Sequence, residues 1–527
     1  MKQLEYDSVR YSVAEPHKEM LMLTIENHLT TCVGFASQLF ELLNQHGIVY
    51  CHWKSNELLA EGLRGETDLD ILVDRASFTP TIAILLNMGF KQAEVRWGPS
   101  TPGVLHFYAY DPHASDLIHV HLYSHLMTGE SLVKTHVIPC DSVLLEKCDR
   151  IGNVQVPAKE AEAALFVLRS FIKSGSLLHM MLHGQGRGPD EPDEFWFADE
   201  GIQPETAYKV LQEHYGAVDE RLFQKCYQAL TENQSAIKKW QLGRRIRRCL
   251  RGCARYTYGE LLAAYASLVM VKIKRKARGN IKNKVLNSGG AVVAFIGGDA
   301  TGKSTLVGET SKWLGSTFAV SIAHVGKPRS TWITAPLRIL LPLARQLFPG
   351  QRHQAQQAAE VSKQAKPRVK QTNRSPSLLY ALRAFSLAWD RAHLLRKVHR
   401  RAAMGEIVIC DRYPTDEAGG TDGPRLRVRE RKQSWLINFL ARCEHRLYAQ
   451  NAPPDVALQL HISIEVAKQR NHLRKKADKH SDEDLEIRHQ MVRTWKKTGT
   501  KVVRDIDTDV SLELTVKSVK EAIWESL

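Results

Sequence analysis

A chain of 527 residues, 43% hydrophobic and 25% charged, is too long for a single core, so two or three soluble globular domains are expected. Its formal net charge of +16 points to an anionic partner: a nucleotide, a nucleic acid or an acidic membrane surface. Nine cysteines are scattered, only Cys249 and Cys253 lie close together, and no second pair completes a zinc site. That pattern fits a reducing, cytoplasmic compartment.

The first residues, MKQLEYDSVRYSV, carry acidic side chains and no apolar core, unlike a signal peptide. Leu21–Leu43 has apolar residues at helical spacing, and Gly47 ends it. Ile48–Cys51 then reads as a short strand leading to His52-Trp53-Lys54-Ser55-Asn56, followed by a short helix. Next comes Gly65-Glu66-Thr67-Asp68-Leu69-Asp70-Ile71-Leu72-Val73. Residues two apart in a strand share a face, so Asp68 and Asp70 point the same way. Two such carboxylates can hold Mg²⁺ and a triphosphate, while Leu69, Ile71 and Val73 pack. Val104–Tyr110 and Leu117–Tyr123 are the next strands, joined by a turn at Asp111-Pro112-His113. His119 and His121 also share a face, either as metal ligands or as a hydrogen-bonded core pair.

This N-terminal pattern resembles the nucleotidyltransferase fold, with Lys54-Ser55 as the corner ahead of D-x-D and a further strand behind it. It is similar to uncharacterised bacterial nucleotidyltransferase-like families with a histidine-bearing third strand, here Leu117-Ile118-His119-Val120-His121. The resemblance implies an α+β nucleotidyltransferase-like domain over residues 1–150, with Asp68 and Asp70 as metal ligands. The third acid of that family is missing. His119 stands near its place, and Asp116 lies at the start of the strand.

Residues 151–288 read as a helical spacer packed on the first domain, with a basic linker ending at Asn287-Ser288-Gly289-Gly290. Helical stretches run over Glu160–Lys173, Thr206–His214, Glu220–Thr231 and Tyr258–Val271, and Gly184–Glu194 is a turn-rich loop. Arg244, Arg245, Arg247, Arg248, Arg251 and Arg255 form a basic cluster without the interleaved aromatics that a single-strand nucleic-acid surface would use. Tyr258–Val271, with its basic tail, comes nearest to a membrane span, yet no stretch reaches the roughly 18 apolar residues required.

From residue 289 strand and helix signals alternate, predicting an α/β fold with a parallel sheet. An apolar run, Val292–Ile296, ends in Gly297-Gly298-Asp299-Ala300-Thr301-Gly302-Lys303-Ser304, which is G-x-x-x-x-G-K-[ST], the phosphate-binding loop. Its glycines let successive N–H groups turn inward onto an anion, Lys303 reaches the β/γ-phosphates, and the Ser304 hydroxyl can ligate Mg²⁺. The helix beginning there directs its positive end at the phosphates. Residues Gly297 to Thr305 are therefore the ATP-binding candidates. Phe318–Val325 is the second strand, ending in Gly326-Lys327-Pro328-Arg329, and Gly350–Ser377 is a polar surface insertion. Leu378–Met404 is a long helix containing Trp389-Asp390-Arg391-Ala392-His393. It leads to Ile407-Val408-Ile409-Cys410-Asp411-Arg412-Tyr413-Pro414, a strand ending in the carboxylate that would hold Mg²⁺ opposite Ser304.

Together these motifs resemble thymidylate kinase over nearly the whole region 291–527, within a P-loop domain expected over 289–527. Pro454–Leu460, the arginine-bearing Glu465–Arg470 with Arg474, and Ile506-Asp507-Thr508-Asp509 before a final helix keep that family's order. The resemblance implies a P-loop nucleoside-monophosphate-kinase fold using ATP and Mg²⁺. It also implies that Lys303, Ser304, Arg412, Arg470 and Arg474 serve phosphoryl transfer and that Asp299 and Asp411 organise metal and acceptor. Arg391, together with Tyr413, would meet the acceptor nucleotide. A homodimer is implied as well, unless the helical spacer covers that face. The sequence departs from the family at Ile296, Asp416 and the Gly326–Arg329 loop, all near the acceptor. The acceptor is thus dTMP, another nucleotide, or a phosphorylated sugar or small metabolite. A second class of function, a nucleotide-sensing regulatory or defence protein acting on nucleic acid through Arg244–Arg255, ranks behind the kinase.

Overall fold

The structure is a computed structural model describing residues 34–98, 101–129, 133–176, 201–277, 279, 282, 284–337, 340, 376–416, 420, 422–428, 433–473 and 481–527. The start of the first expected helix, the Gly184–Glu194 loop, nearly all of the Gly350–Ser377 insertion and Arg474 lie outside the described residues. The chain forms two compact units, Met1–Lys272 and Ile273–Leu527.

The N-terminal unit is built on a mixed sheet. Strand β1 (Tyr50–His52) runs antiparallel to β2 (Leu69–Val73), and β2 runs parallel to β5 (Asp116–Tyr123). Strand β4 (Val104–Asp111) lies antiparallel between β5 and β3 (Lys91–Val95). Strand alternation divides the two faces. Leu69, Ile71, Val73, Phe107, Ala109, Ile118, Val120 and Leu122 pack against helices α1 (Phe35–Gln45) and α2 (Arg75–Asn87). The opposite face is apolar where Leu72, Val104 and Tyr123 meet helix α3 (Lys159–Ser174), and it carries Asp70, His106, His119 and His121 elsewhere.

Helices α3, α4 (Pro204–His214), α5 (Glu220–Thr231) and α6 (Ala236–Cys249) share one apolar core with those sheet residues. The expected spacer is therefore part of the N-terminal fold. Two glycines let the end of α3 approach α6 closely: a Cβ on Gly243 would fall 2.4 Å from the backbone nitrogen of Gly175. The arginine-rich stretch begins in helix α6, where Leu242 and Ile246 bury one stripe. Several of its arginines serve the fold. Arg255 donates to the carbonyl of Lys134 at 2.9 Å, Arg247 to the Thr135 hydroxyl at 3.4 Å, and Arg244 lies over the Trp240 ring at 5.1 Å. Helix α7 spans Tyr258–Ala277. Among the described residues no helix is long and apolar enough to cross a membrane.

The C-terminal unit contains a five-stranded sheet in which every adjacent pair is parallel. Its strands are β6 (Val292–Gly297), β7 (Val320–His324), β8 (Ile407–Asp411), β9 (Val456–His461) and β10 (Val502–Asp507), in spatial order β7-β8-β6-β9-β10. Strand β6 is buried along its whole length, which is why its sequence is an uninterrupted apolar run. Val292, Ala294 and Ile296 pack in one cluster with Leu395, Val398 and Ala402 of helix α9 (Leu378–Ala403) and with Trp495. Helix α8 (Lys303–Gly315) follows the glycine loop, and α10 (Trp435–Ala449), α11 (Ile464–His472), α12 (Asp482–Arg493) and α13 (Leu512–Ser526) complete the described helices of the sheet's surround. The central position of β6 puts its loop where chain connections diverge, the usual ligand crevice of a parallel sheet.

Candidate active site

Strand β6 ends at Gly297 and α8 begins at Lys303, so the five-residue turn between them is fixed at both ends by regular structure. The backbone is left-handed at Ala300 (φ 69°) and Gly302 (φ 81°). Gly298 lies directly against the His489 ring: a Cβ there would sit 2.4 Å from it, so the ring would have to shift. Lys303 is buried, and its ammonium donates to the Gly297 carbonyl at 2.7 Å, to the Thr301 hydroxyl at 3.3 Å and to the Gly298 carbonyl. Thr301 in turn donates to the Gly298 carbonyl at 3.0 Å. Ser304 and Thr305 are exposed on the first turn of α8, where backbone N–H groups and the helix dipole favour an anion.

The neighbouring strand supplies the next groups. Parallel register sets Asp411 across from Phe295, and the Arg412 amide donates to the Phe295 carbonyl at 3.2 Å. Arg412 is itself left-handed (φ 73°), an uncommon state for a non-glycine residue. Its guanidinium reaches the Asp299 carboxylate at 3.1 Å. Arg488 meets the other oxygen of that carboxylate at 3.0 Å. His489 donates through Nε2 to the Asp299 carbonyl at 2.8 Å, and burial lowers its pKa, which favours the neutral ring. The loop after β7 closes on the same group, since a Cβ on Gly326 would lie 2.7 Å from Arg412 Cδ. Asp411 stays partly open, with His324 Nδ1 3.5 Å from one of its oxygens.

Five of the expected residues thus converge at one end of the sheet: Asp299, Lys303, Ser304, Asp411 and Arg412. Arg391 and Tyr413 have a different setting. Arg391 is fully buried, and its five N–H groups all have acceptors. Nε donates to Val325 O at 3.2 Å; Nη1 donates to Asp422 O at 2.8 Å and Tyr448 Oη at 2.9 Å; Nη2 donates to Gly326 O at 3.3 Å and to the Asp422 carboxylate. The guanidinium therefore clamps the Gly326 loop to Asp422 instead of presenting donors to an acceptor. Its neighbour Asp390 does likewise, accepting from Thr331 N at 2.9 Å and the Thr334 hydroxyl at 2.6 Å. Tyr413 is also core, donating to the Ala452 carbonyl at 2.5 Å. Arg470 donates to the Thr508 carbonyl at 2.8 Å, tying α11 to the end of β10.

Arg488, His489 and Asp422 join this cluster without a motif to announce them. Arg488 and His489 sit on α12, whose signal is weak: buried Leu485 and Val492 are its main apolar positions. Asp422, left-handed at φ 61°, joins Arg391 and lies 3.7 Å from Arg412. Asp416, one of the departures from the kinase pattern, is an ion-pair partner of buried Lys497 and accepts from the Thr498 amide at 2.9 Å.

In the N-terminal unit, Asp68 and Asp70 point to the same face, as their spacing predicts. Both are already engaged. Asp70 has one oxygen 2.9 Å from the Lys54 ammonium and the other 3.1 Å from His121 Nδ1. Asp68 lies 2.6 Å from His119 Nδ1. Burial by itself would raise the Asp68 carboxyl, but the hydrogen bond and charge of His119 and the charge of His121 hold it far below the usual range.

No protein-family model matches the chain. Two curated relatives are similar to parts of it. The uncharacterized ATP-binding protein YghR of Escherichia coli K12 is 30% identical over 236 residues, covering 44% of this chain and 86% of the relative. The uncharacterized ATP-binding protein YghS of the same strain is 28% identical over 179 residues, covering 33% of this chain and 69% of the relative. Among solved structures, deoxyadenosine kinase from M. mycoides with bound dATP overlays 44% of this chain and 98% of its own, at 14% identity and a TM-score of 0.24. The same kinase with dCMP and dCDP overlays 45% of this chain at 15% identity and a TM-score of 0.26.

Proposed function

Because the chain belongs to the family of the Escherichia coli ATP-binding protein YghR, we propose that its C-terminal unit is an ATP- and Mg²⁺-dependent phosphotransferase. It passes the γ-phosphoryl group of ATP to a nucleoside monophosphate or a similarly phosphorylated acceptor. The observation that carries this reading is the meeting of two parallel strand ends. The Gly297–Ser304 loop closes β6, Asp411 and Arg412 close β8, and the Arg412 guanidinium bridges to Asp299 of the loop.

The residues present fit the cofactor. Gly297, Gly298 and Gly302 leave the loop backbone free of side chains, and Lys303 is anchored beneath it. An exposed hydroxyl at Ser304 and a partly open carboxylate at Asp411 are the oxygen donors that Mg²⁺ prefers. When bound, Mg²⁺ supplies neutralising charge at the β- and γ-phosphate oxygens. Lys303 and the first N–H groups of α8 orient the phosphates, and Arg412 stabilises charge on the phosphoryl group in transit. An oxygen of the acceptor bonds to the γ-phosphorus as the bond to the β-bridging oxygen breaks, and ADP leaves. Exposed Lys327 and Arg329, on the loop that Arg391 clamps, are suited to the acceptor's phosphate.

The test is ADP release by the purified full chain with Mg²⁺-ATP, screened against nucleosides, nucleoside monophosphates beginning with dTMP, and sugar phosphates. Stimulation by a phosphorylated acceptor, absent in Lys303→Ala, supports the reading, and stimulation by nucleosides alone contradicts the choice of acceptor. No stimulation by any of them sinks it. For residues 1–150 a nucleotidyltransferase-like fold remains a proposal, supported by the two aspartates beside a central strand. Two-metal nucleotidyl transfer lacks support there, since Lys54 and His121 occupy Asp70.

A further inference from the structure

The polar face of the N-terminal sheet holds two rows of side chains across three adjacent strands. Asp70 on β2 pairs in register with His121 on β5, which pairs in register with His106 on β4. One step away, Asp68 reaches His119 on β5, which pairs in register with Tyr108 on β4. Strand periodicity places all three imidazoles on one side of the sheet.

From this arrangement we propose that His106, His119 and His121 bind one divalent transition-metal ion of the zinc class, with Asp68 and Asp70 as orienting carboxylates rather than ligands. Each histidine offers one ring nitrogen, and these atoms all lie within 4.8 Å of one another. A tetrahedral ion with metal–nitrogen bonds near 2.0–2.1 Å sets its ligand nitrogens roughly 3.3 Å apart. His106 Nδ1 and His119 Nε2 are already 3.2 Å apart. The ion takes the place of that contact when His106 carries its ring proton on Nε2.

The carboxylates decide the orientation. His119 and His121 direct Nδ1 to Asp68 and Asp70, at 2.6 and 3.1 Å, which leaves each Nε2 as the lone-pair donor. A ligating histidine held through its other nitrogen by a carboxylate is the usual outer shell of such a metal. The Tyr108 ring stacks on His119 at 4.1 Å and 7°, fixing the ring plane. The donor set also decides the ion: three imidazoles suit zinc and its neighbours, whereas Mg²⁺ would require oxygen ligands. Three protein ligands leave a fourth position for water or a substrate oxygen.

The test uses the full chain, stripped with a chelator and titrated with Zn²⁺ against a competing dye. One Zn²⁺ per chain is expected, with affinity falling at least about 100-fold in His106→Ala and in His121→Ala. Asp68→Asn should weaken it about 10- to 100-fold. Circular dichroism reports whether each variant is folded. Because a variant can fail to fold, the wild-type chain is also loaded with Co²⁺, whose visible absorption separates tetrahedral imidazole ligation from octahedral oxygen ligation. Absence of stoichiometric Zn²⁺ in the wild type, undiminished binding in folded variants, or an octahedral Co²⁺ spectrum would each overturn the proposal.

Discussion

The Arg412 guanidinium lies 3.1 Å from the Asp299 carboxylate, joining the end of one strand to the phosphate-type loop of its neighbour. The two residues are 113 positions apart in the chain, and parallel register between β6 and β8 brings them together. Arg488 binds the second oxygen of Asp299, so one acid holds two cations over the loop.

Arg412→Ala should therefore lower kcat by about 10²- to 10³-fold, the usual loss when one preorganised charge is removed from a transition state. Stability should change by no more than about 1 kcal/mol, since the pair is partly exposed. Steady-state kinetics and urea unfolding check the two halves together. An equal fall in both would identify Arg412 as a structural residue.

Gly298→Ala places a methyl group 2.4 Å from the His489 ring. We expect α12 to be pushed off the loop, at a cost of about 1–3 kcal/mol, with ATP affinity reduced. The double variant with His489→Ala should recover much of that loss, giving a coupling of at least about 0.5 kcal/mol in a double-mutant cycle. Additive effects would refute the contact.

Arg391→Leu should cost about 3–5 kcal/mol, because it strands the Asp422 carboxylate and several buried carbonyls. Arg391→Lys should restore little, as an ammonium cannot reproduce a planar five-donor fork. Denaturant unfolding measures both. A near-neutral Arg391→Leu, combined with a raised acceptor KM, would return Arg391 to the acceptor site.

His136 is buried in the N-terminal unit, and burial, reinforced by the charge of Arg247, lowers its pKa to about 4. Between pH 6.5 and pH 4 the unfolded chain takes up a proton that the folded chain refuses, so stability falls as pH falls. The loss amounts to about 3 kcal/mol across the window. His136→Gln should flatten that part of the pH dependence relative to the wild type. An unchanged slope in urea midpoints would show that His136 titrates normally.

The C-terminal strands were legible because buried parallel strands are continuous apolar runs, and Val292–Ile296 and Ile407–Cys410 are such runs. The glycine loop was legible because its chemistry is local. Arg488 and His489 were not, because α12 has Leu485 and Val492 as its only fully buried positions among the described residues and so gives a weak apolar pattern. The surroundings of Arg391 were hidden for a related reason: a motif shows a residue's type and place, but not that Asp422 and Tyr448, 31 and 57 residues away, take up its donors. In the N-terminal unit the spacing of His119 and His121 was visible, whereas His106 joined them only through antiparallel register.

Phosphoryl transfer is seen by following the γ-phosphate of labelled ATP in the presence of Mg²⁺ and a panel of acceptors. Label should move into an organic phosphate ester or anhydride, with transfer lost in Lys303→Ala. Label that remains in ATP, or appears only as inorganic phosphate with every acceptor, would contradict it.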